Sequence, residues 1–158
     1  MSRLPSLGPR GEGWFALQIA LLGSVAFAGP LGPAWEGPLR SITVAVGLLL
    51  MAAGGLQALR GIVDLGSDLT PFPRPRPAAE LRQAGIYARV RHPIYGGLIM
   101  GAGGWGLAWA SPLALLATLL LAGFLAVKAQ REEAWLREQF PGYVAYAART
   151  RKFLIGLY

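Results

Sequence analysis

The chain has 158 residues, of which 54% are hydrophobic and only 15% charged, with a formal net charge of +7. A soluble domain averages roughly 45–50% apolar and about 25% charged residues, so this balance points to a membrane. Cysteine is absent and there is one histidine, which leaves no disulfide framework, no Cys-ligated cluster and no multi-His centre, and no metal is expected. The basic residues are separated by long apolar runs, so nucleic acid is not the expected partner and the charge reads as membrane topology.

A membrane helix needs roughly 20 mostly apolar residues. Four runs approach this, at residues 14–31, 41–59, 94–110 and 112–129. The first contains Gln18 as its only strongly polar member and the second only Gln57. The third and fourth are separated by Ser111-Pro112, a pair that favours a tight turn, and this predicts a helical hairpin. The fourth helix is expected to run on into a charged stretch, with Lys128 reaching toward the interface. Three further apolar runs follow the first, so a cleaved leader is not expected there. The expectation is a single all-helical, multi-pass domain of about four spans over residues 1–158.

With four spans, fourteen of the fifteen basic residues fall on one side and only Arg40 on the other. The excess of Lys and Arg on cytoplasmic loops then predicts cytoplasmic termini and a cytoplasmic middle loop. That loop carries "TPFPRPRP", four prolines in eight residues, which excludes a regular helix and predicts an extended strap.

The strap leads into "AELRQAGIYARVRHPIYGG", where charge and aromatic groups meet the membrane border. A second polar cluster, "REEAWLREQFPGYVAY", follows the fourth run. On residue chemistry alone each feature has a plain structural reading. His92 could cap the third helix, Tyr87 and Tyr95 could belong to an aromatic belt, and Lys128 with Glu132 could form an i,i+4 ion pair. Phe140, Tyr143, Tyr146 and Arg149 recur at helical intervals and fit either an interfacial helix or one folded back over a site.

The ordered set Leu81-x-x-x-Gly85-x-Tyr87-x-x-x-Arg91-His92-Pro93-x-Tyr95-x-Gly97, preceded by "TPFP" and followed by the Glu132-Glu133 pair, resembles the isoprenylcysteine carboxyl methyltransferase family. The likeness spans Leu69 to Arg149. It implies an integral membrane methyltransferase using S-adenosylmethionine, with a cofactor site built from residues 80–97 and 128–149. Cofactor contacts are implied for Leu81, Tyr87, His92, Pro93, Tyr95, Glu132 and Glu133, and catalytic roles for Lys128 and Glu132, with Gly97 as the motif glycine. The family pattern has an arginine addressing a substrate carboxylate where this chain has Lys128, which keeps the charge and loses the bidentate fork.

The favoured acceptor is therefore a small lipophilic carboxylate of isoprenylcysteine type, reached from the lipid bilayer. Related phospholipid N-methyltransferases share the Glu pair, so an amine acceptor is the first alternative. An NADPH-dependent sterol-reductase-like enzyme is the second, although no GxGxxG occurs in a strand–helix setting. A non-enzymatic membrane scaffold is the third.

Overall fold

The computed structural model describes residues 4–156, so Arg3, counted in the charge distribution, lies outside the described residues together with both chain ends. Five α-helices follow in order: α1 Glu12–Leu31, α2 Arg40–Leu65, α3 Pro93–Ala108, α4 Pro112–Gln139 and α5 Tyr143–Arg149. Among the described residues no strand forms, and a single parallel bridge joins Val90 to Arg151. The protein is all-helical. Three helices are long and apolar enough to cross a membrane: α1, α2 with the short turn after it, and α4.

Local chemistry sets the helix boundaries. Proline occupies the first turn of both α3 and α4, where its missing N–H costs nothing. Ser111 caps α4 by accepting the Ala114 N–H at 3.2 Å, while its own hydroxyl donates to Ala28 O at 2.8 Å and ties the turn to the end of α1. α2 ends at Gly66, whose φ of 56° suits glycine. α4 continues beyond the expected residue 129 to Gln139 and carries Lys128, Glu132 and Glu133 on one unbroken helix.

α3 is shorter than the run 94–110 suggested, at 16 residues, or about 24 Å of helix. Its most extensive packing is on α2, not on α4. Gly47, Gly54 and Gly61 of α2 recur every seventh residue and meet Gly104, Gly97 and Pro93 of α3, so the two helices run antiparallel. A Cβ at Gly54 would stand 2.6 Å from Gly97 O, and one at Gly47 2.6 Å from Gly104 O. The backbones are in near contact, the arrangement small residues permit between membrane helices. Gly97, the motif glycine, packs against Gly54 and Ala58 of α2.

α1 lies antiparallel to α4, from Ala28 beside Ser111 at one end to Gln18 beside Lys128 toward the other. α1 also leans on α3, whereas α1 and α2 make at most marginal contact. The N-terminal ends of α1 and α3 and the C-terminal ends of α2 and α4 consequently gather at one end of the bundle. Large apolar side chains such as Phe27, Leu49, Leu56, Val63 and Leu119 point outward and exposed, as lipid-facing groups do.

Candidate functional site

At that gathered end lies a cavity of about 330 Å³, within the usual size of a small-molecule site. The strap forms one wall, with Thr70, Pro71, Phe72, Pro73 and Pro75 lining it. The strap is pinned, not free. Arg74 donates through its backbone N–H to Arg10 O at 3.3 Å and through its guanidinium to Pro9 O at 3.0 Å, and Phe72 meets Phe15 edge-on at 6.0 Å. Gly11, at φ 83°, lets Pro73 sit against the start of α1, since a Cβ there would be 2.6 Å from the proline ring.

Of the residues singled out in the sequence, Leu81, Tyr87, His92, Pro93, Tyr95, Lys128 and Glu132 line this cavity. Glu133 does not. Its carboxylate turns to Arg91 Nε at 2.8 Å, Arg137 Nη2 at 3.2 Å and His92 Nε2 at 3.1 Å. A carboxylate only accepts, so His92 carries its proton on Nε2 and its Nδ1 keeps the lone pair when the ring is neutral. Glu133 thus fixes the tautomer and orientation of His92 from behind the cavity. His92 sits at the N-cap position of α3, yet its side chain makes no cap hydrogen bond. The ring instead stacks on Tyr95, with centroids 5.4 Å apart and planes within 1° of parallel.

Glu132 faces the cavity, and its Oε2 accepts the Tyr95 hydroxyl at 2.7 Å and stands 3.9 Å from His92 Nδ1. No ion pair joins Glu132 to Lys128 among the described residues, contrary to the i,i+4 reading. Lys128 is 1% exposed as a residue, and its ammonium donates to Gln18 Oε1 at 2.6 Å and reaches Pro71 O at 3.5 Å and the Tyr95 ring face at 5.2 Å.

The C-terminal polar cluster closes the cavity from the other side. Phe140, Tyr143 and Tyr146 line it, while Arg149 is turned outward to Gln83. Tyr146 donates to Tyr87 O at 2.9 Å, and Tyr87 donates to Gly61 O at 3.2 Å, which locks the 3₁₀ turn Gly85–Ala88 between α2 and α5. The Tyr143 hydroxyl is buried without a hydrogen-bond partner. Burial pushes the Tyr146 phenol up to about 12; burial and then Glu133 and Glu132 push Tyr143 higher still, and burial and then Glu132 do the same for Tyr87, so all three remain donors.

A cavity that holds a carboxylate, an ammonium, an imidazole and aromatic faces offers the groups a polar, charged ligand requires. Leu81, Tyr87, His92, Pro93, Tyr95, Glu132 and Tyr143 are the residues able to hold a cofactor.

Three elements escaped the sequence reading. Gln18 reaches Lys128 across 110 positions of chain. Gln57 donates to Pro93 O at 3.0 Å and Phe153 O at 2.9 Å, and so ties α2 to both the start of α3 and the C-terminal segment. That segment pairs with the motif through Arg91 N–H to Arg151 O at 3.0 Å and His92 N–H to Lys152 O at 2.9 Å. The only signal available was that each glutamine is a lone polar residue in an apolar run.

The sequence profile of the phospholipid methyltransferase family matches residues 42–142, from α2 through the glutamate pair to the start of α5. A search of curated proteins gives no match. The matched segment covers well over half the chain and contains the RHPxYxG motif, the cavity-facing Glu132 and the helices that hold them. The chain belongs to the phospholipid methyltransferase family, membrane methyltransferases related to the isoprenylcysteine carboxyl methyltransferases.

Proposed function

We propose that the protein transfers a methyl group from S-adenosylmethionine to the amine of a phospholipid headgroup. The observation that carries this is the pairing of opposite charges inside one cavity. Lys128 and Glu132 are four residues apart on α4, about 6 Å of axial rise, both line the cavity, and they are not joined to each other. Such a pair suits a zwitterion whose oxyanion and ammonium are a few bonds apart, as in an ethanolamine phospholipid. The family relationship supports the same acceptor.

When bound, S-adenosylmethionine supplies an electrophilic methyl on a sulfonium sulfur that leaves as a neutral thioether. Its polar ends suit the donors and aromatic faces of Tyr87, His92, Tyr95 and Tyr143, with Leu81 and Pro93 as apolar wall. The protein's own part is to hold the acceptor in line, exclude water and take a proton. Glu132 draws the ammonium, and its carboxylate with the His92 Nδ1 lone pair accepts the proton that must leave before nitrogen can attack. Tyr95 holds Glu132, and Glu133 holds His92, so both acceptors are oriented before the acceptor lipid arrives.

A second reading keeps the chemistry and makes the acceptor a prenylated cysteine carboxylate, which Lys128 alone would hold. Methyl transfer from labelled S-adenosylmethionine to phosphatidylethanolamine and to a prenylated cysteine, side by side, separates the two. Label on the phospholipid amine is expected, and label confined to the carboxylate contradicts the amine reading.

The gathered end of the bundle is proposed to face the cytoplasm, with α3 as a fourth crossing alongside α2. Reporter fusions near residues 36 and 75 should then lie on opposite sides of the membrane.

A further inference from the structure

We infer that Gln18 and Lys128 together form an oxyanion subsite that receives the phosphodiester of the acceptor lipid, with the acyl chains leaving the cavity between α1 and α2. The inference rests on the amine-phospholipid reading above, and it brings in α1, which lies outside the segment shared with the family.

Lys128 is buried, and its partners are all neutral: one amide oxygen, one peptide oxygen at 3.5 Å and one ring face. A buried ammonium without a carboxylate in contact is costly unless an anion joins it. Gln18 is also buried, 9% exposed, and lines the same cavity. Its amide orientation is fixed by chemistry. An ammonium only donates, so the group 2.6 Å from Nζ is Oε1, and Nε2 with its two N–H donors is left without a protein partner. The two side chains therefore offer donors of ammonium and amide type to one oxyanion.

The position favours the acceptor over the carboxylate of the cofactor. Lys128 lies one turn deeper along α4 than Glu132, away from the gathered end. The cavity rim on this side is apolar, with Phe15 on α1 and Ile62 and Leu65 on α2, and these two helices barely touch. A diacyl chain pair can pass there into lipid while the phosphate stays on Gln18 and Lys128 and the amine reaches Glu132.

The test uses the full chain in non-ionic detergent and calorimetric binding of dihexanoylphosphatidylglycerol, a phosphodiester without an amine, beside neutral dihexanoylglycerol and S-adenosylmethionine. Wild type should bind the phosphodiester more tightly than the neutral lipid. Gln18→Leu should weaken the phosphodiester about tenfold and leave the other two within twofold. Gln18→Glu, which keeps the shape and sets a carboxylate on Lys128, should abolish the preference for the phosphodiester. Equal binding of the two lipids by wild type overturns the inference, as does a Gln18→Leu variant that loses S-adenosylmethionine affinity and keeps the phosphodiester. Binding is read without turnover, so failure of amine methylation would count against the acceptor reading and leave these outcomes intact.

Discussion

The α2–α3 face and the α1–α4 face of this bundle solve opposite problems with similar apolar helices. Between α2 and α3, glycines at every seventh position bring backbone against backbone and leave no room for a ligand. Between α1 and α4 the packing turns polar toward one end, where Lys128 of α4 donates to Gln18 of α1 and both line the cavity together with Glu132. The first face is a rigid support that fixes where α3 begins, and so where His92 and Tyr95 stand. The second is where polar groups can be kept in a membrane protein, because they face a cavity and not lipid. Glycine content alone does not distinguish the two, since Gly103 and Gly123 belong to neither close contact, and a Cβ at Gly101 would point into open space.

The comparison breaks most severely at the joint between support and cavity. Glu133→Ala should cost roughly 3–5 kcal/mol, because Arg91 and His92 would lose their shared carboxylate in a largely buried setting. Thermal unfolding in detergent checks this, and His92 should lose its fixed tautomer in nitrogen-15 spectra.

On the supporting face, Gly54→Val should cost roughly 1–3 kcal/mol, since the new side chain meets Gly97 O and the neighbouring α3 backbone. Gly101→Ala, at a position where a Cβ meets nothing within 4 Å, should instead be neutral or slightly stabilising, by up to about 1 kcal/mol of helix propensity. Equal damage at both positions would contradict the account of the heptad stripe.

At the cavity wall, Tyr143→Phe removes a buried hydroxyl that has no protein partner. Stability should change by less than about 0.5 kcal/mol while S-adenosylmethionine affinity falls about tenfold. A loss of stability without a loss of affinity would return Tyr143 to a packing role.

Much of this was legible from the residues. The apolar runs located all four long helices, and a proline at the start of α3 and of α4 set their first turns within a residue or two. Gly85-x-Tyr87 and RHPxYxG marked the turn and helix start that line the cavity. What the sequence left open depends on rotation of a helix about its axis. Glu132 and Glu133 are adjacent and chemically identical, yet about 100° of turn sends one into the cavity and the other to Arg91. Lys128 and Glu132 share a face, and still the lysine takes Gln18 from a helix 110 residues away. The glycines recur visibly, but only the packed helices reveal that Gly97 and Gly104 face α2 while Gly101 does not. The strap reads as a linker in composition because its attachments run through backbone groups of Pro9 and Arg10.

The most direct test of the central claim is equilibrium binding of labelled S-adenosylmethionine and of NADPH to the purified protein, with Glu132→Ala and His92→Ala as controls. The account predicts saturable S-adenosylmethionine binding that weakens about tenfold or more in each variant, and no saturable binding of NADPH. Tight NADPH binding, or S-adenosylmethionine affinity unchanged in both folded variants, would contradict it.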